Sequence, residues 1–437
     1  MKKSVLAVSL LAAMCAAPVA SASEADLLKR LDQLAAEVEK LRAELAATKQ
    51  KADTVEKKQE ALAASPAPAP AAMSAAQSTA AGAASAEPRT VLSSYGEINY
   101  SRPTKDKSQS QTDVARAVIG IQHRFDDRTK MVGEWEWEHA VTSASDQGES
   151  EVEQLYVERE LDNGLRAKAG LFLIPAGLLN TNHEPTAYYG VQRNFVETAI
   201  IPSTWREAGI GLSKTLDNGL SWDAGITTGF DLSKWDAASG EGRESPLRSI
   251  HQEGQLAKSR DLSLHGALNW RGVPGLLLGG SVFSGKAGHA TAGFAANDAR
   301  VTLWDAHARW NPGRWDLSAL YARGTISNTE ALNLSFVGNP NPVPSSFAGW
   351  YAQAAYQAWK STDYTLTPFV RYERYNTAQS YSAVPAGLGA TTGPNERVMT
   401  VGLNFRIGEG VVLKADYQKF KEDNARDRFN LGFGYAF

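Results

Sequence analysis

The feature that most constrains this chain is a period of two in apolar residues, recurring in segments of about ten residues from Val91 to Phe437. The closing stretch RFNLGFGYAF shows it: Phe429, Leu431, Phe433, Tyr435 and Phe437 alternate with Asn430, Gly432, Gly434 and Ala436. Successive side chains of a strand point to opposite faces, so the pattern is a strand with one apolar face. Elsewhere the second face carries charge. Trp135 and Trp137 alternate with Glu134, Glu136 and Glu138, and Met399, Val401, Leu403, Phe405 and Ile407 with Thr400, Gly402, Asn404 and Arg406. Val411, Leu413, Ala415 and Tyr417 oppose Lys414, Asp416 and Gln418 in the same way.

The connections between these segments alternate in length. Short ones fall at Asp126–Arg128, Asp162–Asn163, Asp217–Asn218, Arg271–Pro274, Asn311–Gly313, Ser361–Asp363 and Gly408–Gly410. Long ones fall near 101–111, 140–150, 174–203, 230–256, 288–298, 324–347, 376–395 and 421–426. Seven turns and eight loops join sixteen strands, and an even count with short turns at one end and long loops at the other is the arrangement of an outer-membrane barrel. A soluble sandwich could accommodate any one of these strands. The set argues against it, because the apolar residues are often Ala, Gly or a ring near a strand end, as in Trp315, Leu317, Ala319 and Tyr321 or Ala352, Ala354 and Tyr356. Those suit a lipid-facing wall with aromatic girdles. The expected fold is therefore an all-β, sixteen-stranded antiparallel transmembrane barrel over residues 91–437. Its last strand must pair with the first near Tyr95–Ile98, since an open edge in hydrocarbon leaves backbone groups unsatisfied.

Three segments precede it. Residues 1–22 carry Lys2 and Lys3, an apolar run, and Ala20 and Ala22 at signal-peptidase spacing, which reads as a secretory signal cleaved after Ala22. Its removal takes Cys15, the one cysteine, and excludes a disulfide framework. Residues 23–62 have heptad spacing, with Leu27, Leu34, Leu41, Thr48, Val55 and Leu62 at one core position and Leu31, Val38, Leu45, Ala52 and Gln59 at the other. Glu37 before Arg42 and Glu44 before Lys49 fit pairing between parallel helices, so a coiled coil that oligomerises is expected. Residues 63–90, rich in Pro and Ala, form a linker.

Composition narrows the function. A formal net charge of -3 without a basic stripe excludes a nucleic-acid partner. No histidines stand at metal-ligand spacing, so no metal is expected. GSVFSGKA has Ala287 where a phosphate loop needs a hydroxyl, and no nucleophile has a recognisable partner. No catalytic residue and no cofactor are assigned, and an enzyme is not expected.

The longest stretch directly following a strand is Ile174 to Glu207, after GLRAKAGLFL. Ala169-Gly170-Leu171-Phe172, Pro175, the run HEPTAYYGVQRNFVET from His183 to Thr198, and IIPSTWREAGIGLS from Ile200 to Ser213 resemble the phosphate-selective porin O and P family. That resemblance implies a trimeric sixteen-stranded diffusion channel whose inserted loop, 174–203, folds into the barrel as a constriction. The candidate constriction and lumen residues are Arg166, Lys168, His183, Glu184, Arg193, Glu197, Arg116, Arg371 and Arg406. Alternation adds Arg124, Arg309, Lys414, Glu134, Glu136, Glu138, Glu158, Asp223, Asp305, Glu373 and Asp416 to the inner face.

The family's phosphate selectivity is attributed to an arginine ladder and a lysine cluster that replace an anion's lost water. Here the inserted loop offers Arg193 against Glu184 and Glu197, and the wall charges are mixed in sign, so a weak ion preference is expected, with anions such as phosphate among the candidate solutes. The expected partners are outer-membrane lipid, two further copies in a homotrimer, small hydrophilic solutes or ions, and peptidoglycan as a target of the coiled coil. The expected location is the bacterial outer membrane with both termini periplasmic. Two rival readings are a plugged barrel serving as anchor or adhesin, and an outer-membrane hydrolase using His265 or His183.

Overall fold

The computed structural model describes residues 89–437 apart from 144, 383 and 385–391. The expected signal peptide, coiled coil and all but the last two residues of the linker lie outside the described residues.

Sixteen strands of eight to seventeen residues run in chain order among the described residues. They are β1 (Thr90–Pro103), β2 (Gln111–Arg124), β3 (Thr129–Trp137), β4 (Ser150–Glu160), β5 (Arg166–Leu173), β6 (Arg206–Thr215), β7 (Leu220–Thr227) and β8 (Ser263–Trp270). The second half comprises β9 (Leu276–Lys286), β10 (Arg300–Trp310), β11 (Trp315–Ser327), β12 (Ser346–Tyr356), β13 (Tyr364–Ser380), β14 (Glu396–Ile407), β15 (Val411–Phe420) and β16 (Arg428–Ala436). A two-residue piece, Trp359–Lys360, continues β12 alongside the start of β13. Each strand pairs antiparallel with its sequence neighbours, and β1 pairs with β16 from Tyr95↔Ala436 to Pro103↔Arg428. Phe437 and Ser94 exchange two backbone hydrogen bonds of 2.9 and 3.1 Å just beyond that register.

Closure follows from solvent: a backbone N–H or C=O facing lipid without a partner costs several kcal/mol, and a ring of strands leaves none at an edge. All seven expected tight turns occur, and the eight long connections fall on the opposite end. The connection expected at 101–111 is shorter, because β1 runs on to Pro103 and β2 starts at Gln111; Asp106 caps the intervening turn through Ser108.

The two faces of the wall separate as the alternation requires. Outward residues such as Ile210, Leu264, Val401 and Leu403 are exposed, whereas Thr400, Asn404, Lys414, Asp416 and Asn430 on the alternate positions are buried. Rings gather outside near the short turns: Trp315 lies 4.8 Å from Tyr356, Tyr364 is 5.8 Å from Phe405, and Tyr435 is 6.3 Å from Phe437. A second set, Trp304 with Tyr321 and Trp350 with Tyr372, sits further along the strands. Two aromatic rims around an aliphatic band are the mark of a membrane wall.

The interior corrects one expectation. Alternation places small, polar or charged residues on the inner face of a water-filled barrel, but toward the long-loop end the wall contributes Phe172, Phe283, Leu303, Phe347, Val398 and Phe420 to a buried apolar cluster. Ile174, Val196, Ile200, Ile201 and Trp205 of the inserted segment pack on it from within. The Trp205 ring meets Phe283 at 4.6 Å and Phe230 at 5.2 Å. Apolar residues thus appear on both faces of these strands near their long-loop ends, one set toward lipid and one toward the inserted segment.

Charge on the outer band tests the orientation of the wall. Val401→Arg, mid-strand on the outer face, is expected to cost about 2–4 kcal/mol in reversible folding into bilayers, against about 0–1 for the same change at Ile407 near the aromatic rim. Equal costs at the two positions would contradict the assignment of the outer face.

Candidate functional site

The site is the barrel interior, organised by the segment between β5 and β6, residues 174–205. Its neck is closed by Ile174 N–H donating to Trp205 O at 3.0 Å, and by Asn180. The Asn180 amide donates to the carbonyls of Ile174 and Trp205 at 2.7 and 2.8 Å and accepts from Trp205 N–H at 2.7 Å. A segment without regular structure must find partners for its own backbone. Here the wall supplies carboxylates. Gly177 N–H donates to Asp305 at 3.1 Å, Val191 N–H to Asp416 at 2.7 Å, and Phe195 N–H to Glu373 at 2.6 Å. The Tyr188 hydroxyl donates to Glu97 at 2.6 Å and the Tyr189 hydroxyl to Asp316 at 2.9 Å. Burial and the adjacent carboxylates push both tyrosine hydroxyls above their ordinary range, which keeps them protonated donors.

One anchor runs the other way. Glu197, on the segment, accepts from Leu178 and Leu179 N–H at 2.6 and 2.7 Å, from the Asn194 amide at 2.8 Å, and from the wall's Tyr351 hydroxyl at 2.9 Å. The nest depends on Gly177, whose φ of 68° is left-handed and whose Cβ would lie 2.5 Å from a Glu197 carboxylate oxygen. Burial pushes the Glu197 carboxyl above its usual range while the four donors work against that rise.

The residues singled out from the sequence fall into two groups. Arg116 and Arg193 line an open cavity of about 1030 Å³ on the long-loop side. Arg116 is paired with Glu97 at 2.9 Å and Glu136 at 3.3 Å, and Arg193 donates to Ser203, to Thr204 at 2.8 Å and to the His183 carbonyl at 3.3 Å, not to Glu184 or Glu197. Arg166 lines a smaller space of about 250 Å³ toward the short turns. The others fasten structure. Lys168 pairs with Asp223 at 3.0 Å; His183 lies 2.7 Å from both Glu153 and Tyr95 and 3.0 Å from the Asn180 carbonyl. Arg371 pairs with Glu373 at 2.7 Å, and Arg406 donates to the Thr186 carbonyl. Glu184 is half-buried, its carbonyl accepting from Ala187 N–H at 2.8 Å.

Sequence reasoning missed a second inserted element. The connection 228–262 also enters the cavity, where Arg206 bridges Glu151 and Glu253, the latter at 3.3 Å, and His251 lies 2.9 Å from Glu253. Its available signal was its length and the charged run from Lys234 to Glu253. Asp231 caps the turn at Ser233 and pairs with Lys258 at 3.0 Å. Burial opposes ionisation of Asp231 and Glu253, but the Ser233 and Lys258 contacts at the first and the His251 and Arg206 contacts at the second hold both carboxyls below the usual range. The same inner wall also anchors through Asp316, which alternation had not singled out. Among the described residues no group of three or more His, Cys, Asp and Glu is placed to hold a metal ion.

No family model matches the chain. A protein of Aquifex aeolicus (strain VF5) described as uncharacterized is 28% identical over 358 residues, covering 79% of each chain. The structure of Salmonella typhi OmpF in complex with daunomycin superposes with a TM-score of 0.55 at 13% identity, covering 80% of this chain and 97% of that one. At that identity the likeness shows a shared barrel fold. The outer membrane channel DcaP of Acinetobacter baumannii gives a TM-score of 0.48 at 14% identity over 80% of this chain and 97% of its own.

Two predictions follow from the anchors. Glu197→Ala removes the acceptor of four hydrogen bonds and strands their donors, at a cost of about 2–4 kcal/mol to docking of the segment. Limited proteolysis should then cut within 174–205 while the barrel itself stays intact; an uncut segment would show that the nest is dispensable. For the connection 228–262, depressed carboxyl values mean that the stability contributed by Asp231 and Glu253 is present above the unfolded carboxylate range and is lost as pH falls through their folded values. Amide exchange in 228–262 should therefore accelerate, relative to the strands, once the medium is more acidic than the ordinary carboxylate range, and a flat profile would contradict these pairings.

Proposed function

We propose that the protein is an outer-membrane channel for passive diffusion of small hydrophilic solutes and ions. The observation that carries this reading is a closed ring of strands with an apolar exterior, a charged interior, and a segment held inside that leaves open cavities on both its sides. The fold likeness to OmpF supports residence in the outer membrane. Both described ends of the barrel lie at the short-turn end, where Arg89 O accepts from Arg124 N–H at 2.7 Å and Phe437 pairs with Ser94. In this reading that end is periplasmic, and the expected 23–62 coiled coil either holds a homotrimer together or contacts peptidoglycan.

The solutes include anions such as phosphate. That part of the reading is supported by Arg166, Arg271 and Arg309 near the short turns. The interior is mixed in sign, so selectivity between small cations and anions is modest.

A plugged barrel serving as an anchor is a second reading, favoured by the apolar cluster that ties the inserted segment to the wall. Planar-bilayer recording of the purified chain decides between them. Stepwise conductance in potassium chloride, reduced by millimolar phosphate, is the expected result. A sealed bilayer at every protein concentration would establish the plug and overturn the channel.

A further inference from the structure

The inserted segment divides the interior into two chambers of opposite fixed charge. The cavity of about 1030 Å³ on the long-loop side has eight Asp and Glu residues in its lining against five Lys and Arg residues. Several of the cations there are neutralised: Arg116 by Glu97 and Glu136, and Arg206 by Glu151 and Glu253. Glu138, Glu149 and Glu241 have no cationic partner among the described residues, and Arg193, Lys234 and Arg248 have no carboxylate partner there, so the eight acidic against five basic residues leave the lining with a formal excess of three negative charges. The other face of the same segment, through Gly177, Leu178, Thr181 and Asn182, borders a chamber of about 600 Å³ beside the short turns. Its lining contains Arg271 and Arg309 and no carboxylate. Arg309 leans on Asp316 at 2.6 Å, while Arg271 has no carboxylate partner among the described residues. The adjoining space of about 250 Å³ holds Arg166 beside Asp223, whose charge Lys168 already meets at 3.0 Å.

We infer that the channel is bipolar and rectifies ionic current, passing more when the long-loop side is positive. The inference rests on the channel reading above. With that polarity, cations are driven through the acidic chamber and anions through the basic one toward the septum between them, so both carriers accumulate there and conductance rises. Reversed polarity draws both away and depletes it. Fixed charges govern the carriers only where the chambers are not much wider than the screening distance, about 10 Å at 0.1 M and about 3 Å at 1 M salt. The asymmetry must therefore fade with salt. Selectivity measured at zero current will look weak, because the two chambers oppose each other, and solutes of either sign meet one favourable chamber and one unfavourable one.

The test is single-channel current at equal positive and negative voltages in potassium chloride. The side of each inserted molecule is assigned with a membrane-impermeant thiol reagent on Lys107→Cys, an exposed position in a long-side connection of a chain whose one natural cysteine, Cys15, precedes the barrel. The expected current ratio is about 1.5 or more at 0.1 M, larger with the long-loop side positive, and close to 1 at 1 M, where screening is about threefold shorter. Arg271→Glu should bring the 0.1 M ratio to near 1, and the double change Glu138→Gln with Glu149→Gln should do the same from the other chamber. Conductance with equal currents at both polarities in 0.1 M salt would overturn the bipolar inference and leave the channel intact. An opposite sign of rectification would overturn it as well. Absence of any conductance is a different failure, that of the channel reading itself.

Discussion

Everything in this molecule depends on satisfying backbone hydrogen bonds where water is absent. Outside, that requirement closes the ring: β16 returns to β1, and the terminal residue is clasped by Ser94 through two backbone bonds. Inside, the same requirement falls on a segment that has neither helix nor strand long enough to serve itself. Carboxylates projecting from the wall meet it instead. Asp305, Glu373 and Asp416 each accept a backbone N–H from the segment, and Glu97 and Asp316 accept tyrosine hydroxyls. Charge-assisted bonds of this kind are about twice as strong as neutral ones, and their direction fixes the segment's path.

This changes the meaning of charge in the lumen. A charged side chain on the inner face of a barrel is ordinarily taken as solvated and available to ions. Here many are occupied in holding protein to protein: Arg371 with Glu373, Lys168 with Asp223, His183 beside Glu153, and Arg406 on the Thr186 carbonyl. Charges without an oppositely charged protein partner, such as Glu138 and Glu149 on one side and Arg271 on the other, line the cavities that the segment separates. Anchoring and charge segregation are two results of a single placement.

Much of the architecture was legible because a period of two survives any tertiary context. The turns at Asp162–Asn163 and Gly408–Gly410, the outward set from Met399 to Ile407, and the pairing of Tyr95–Ile98 with the last strand all follow from alternation and turn chemistry. The inner apolar cluster was not legible. Phe283, Leu303 and Phe347 occupy inward positions that alternation predicts to be polar, and only the presence of Trp205 and Ile200 opposite them gives those side chains a reason to be there. Arg193 could be placed near the interior, but not its partners Ser203 and Thr204, which come from the far limb of the same segment. The entry of 228–262 into the cavity left no periodic trace. Long-range docking of irregular backbone is written in pairings, and a single sequence does not display pairings.

The central claim is that wall carboxylates hold the inserted segment inside a closed barrel. Residue-resolved amide exchange of the protein in lipid nanodiscs addresses it directly, at Val191 and Phe195, whose N–H groups donate to Asp416 and Glu373. The account predicts protection comparable to that of the neighbouring strand amides, lost selectively at Val191 in Asp416→Ala and at Phe195 in Glu373→Ala. Exchange at both amides as fast as in an exposed connection would contradict it.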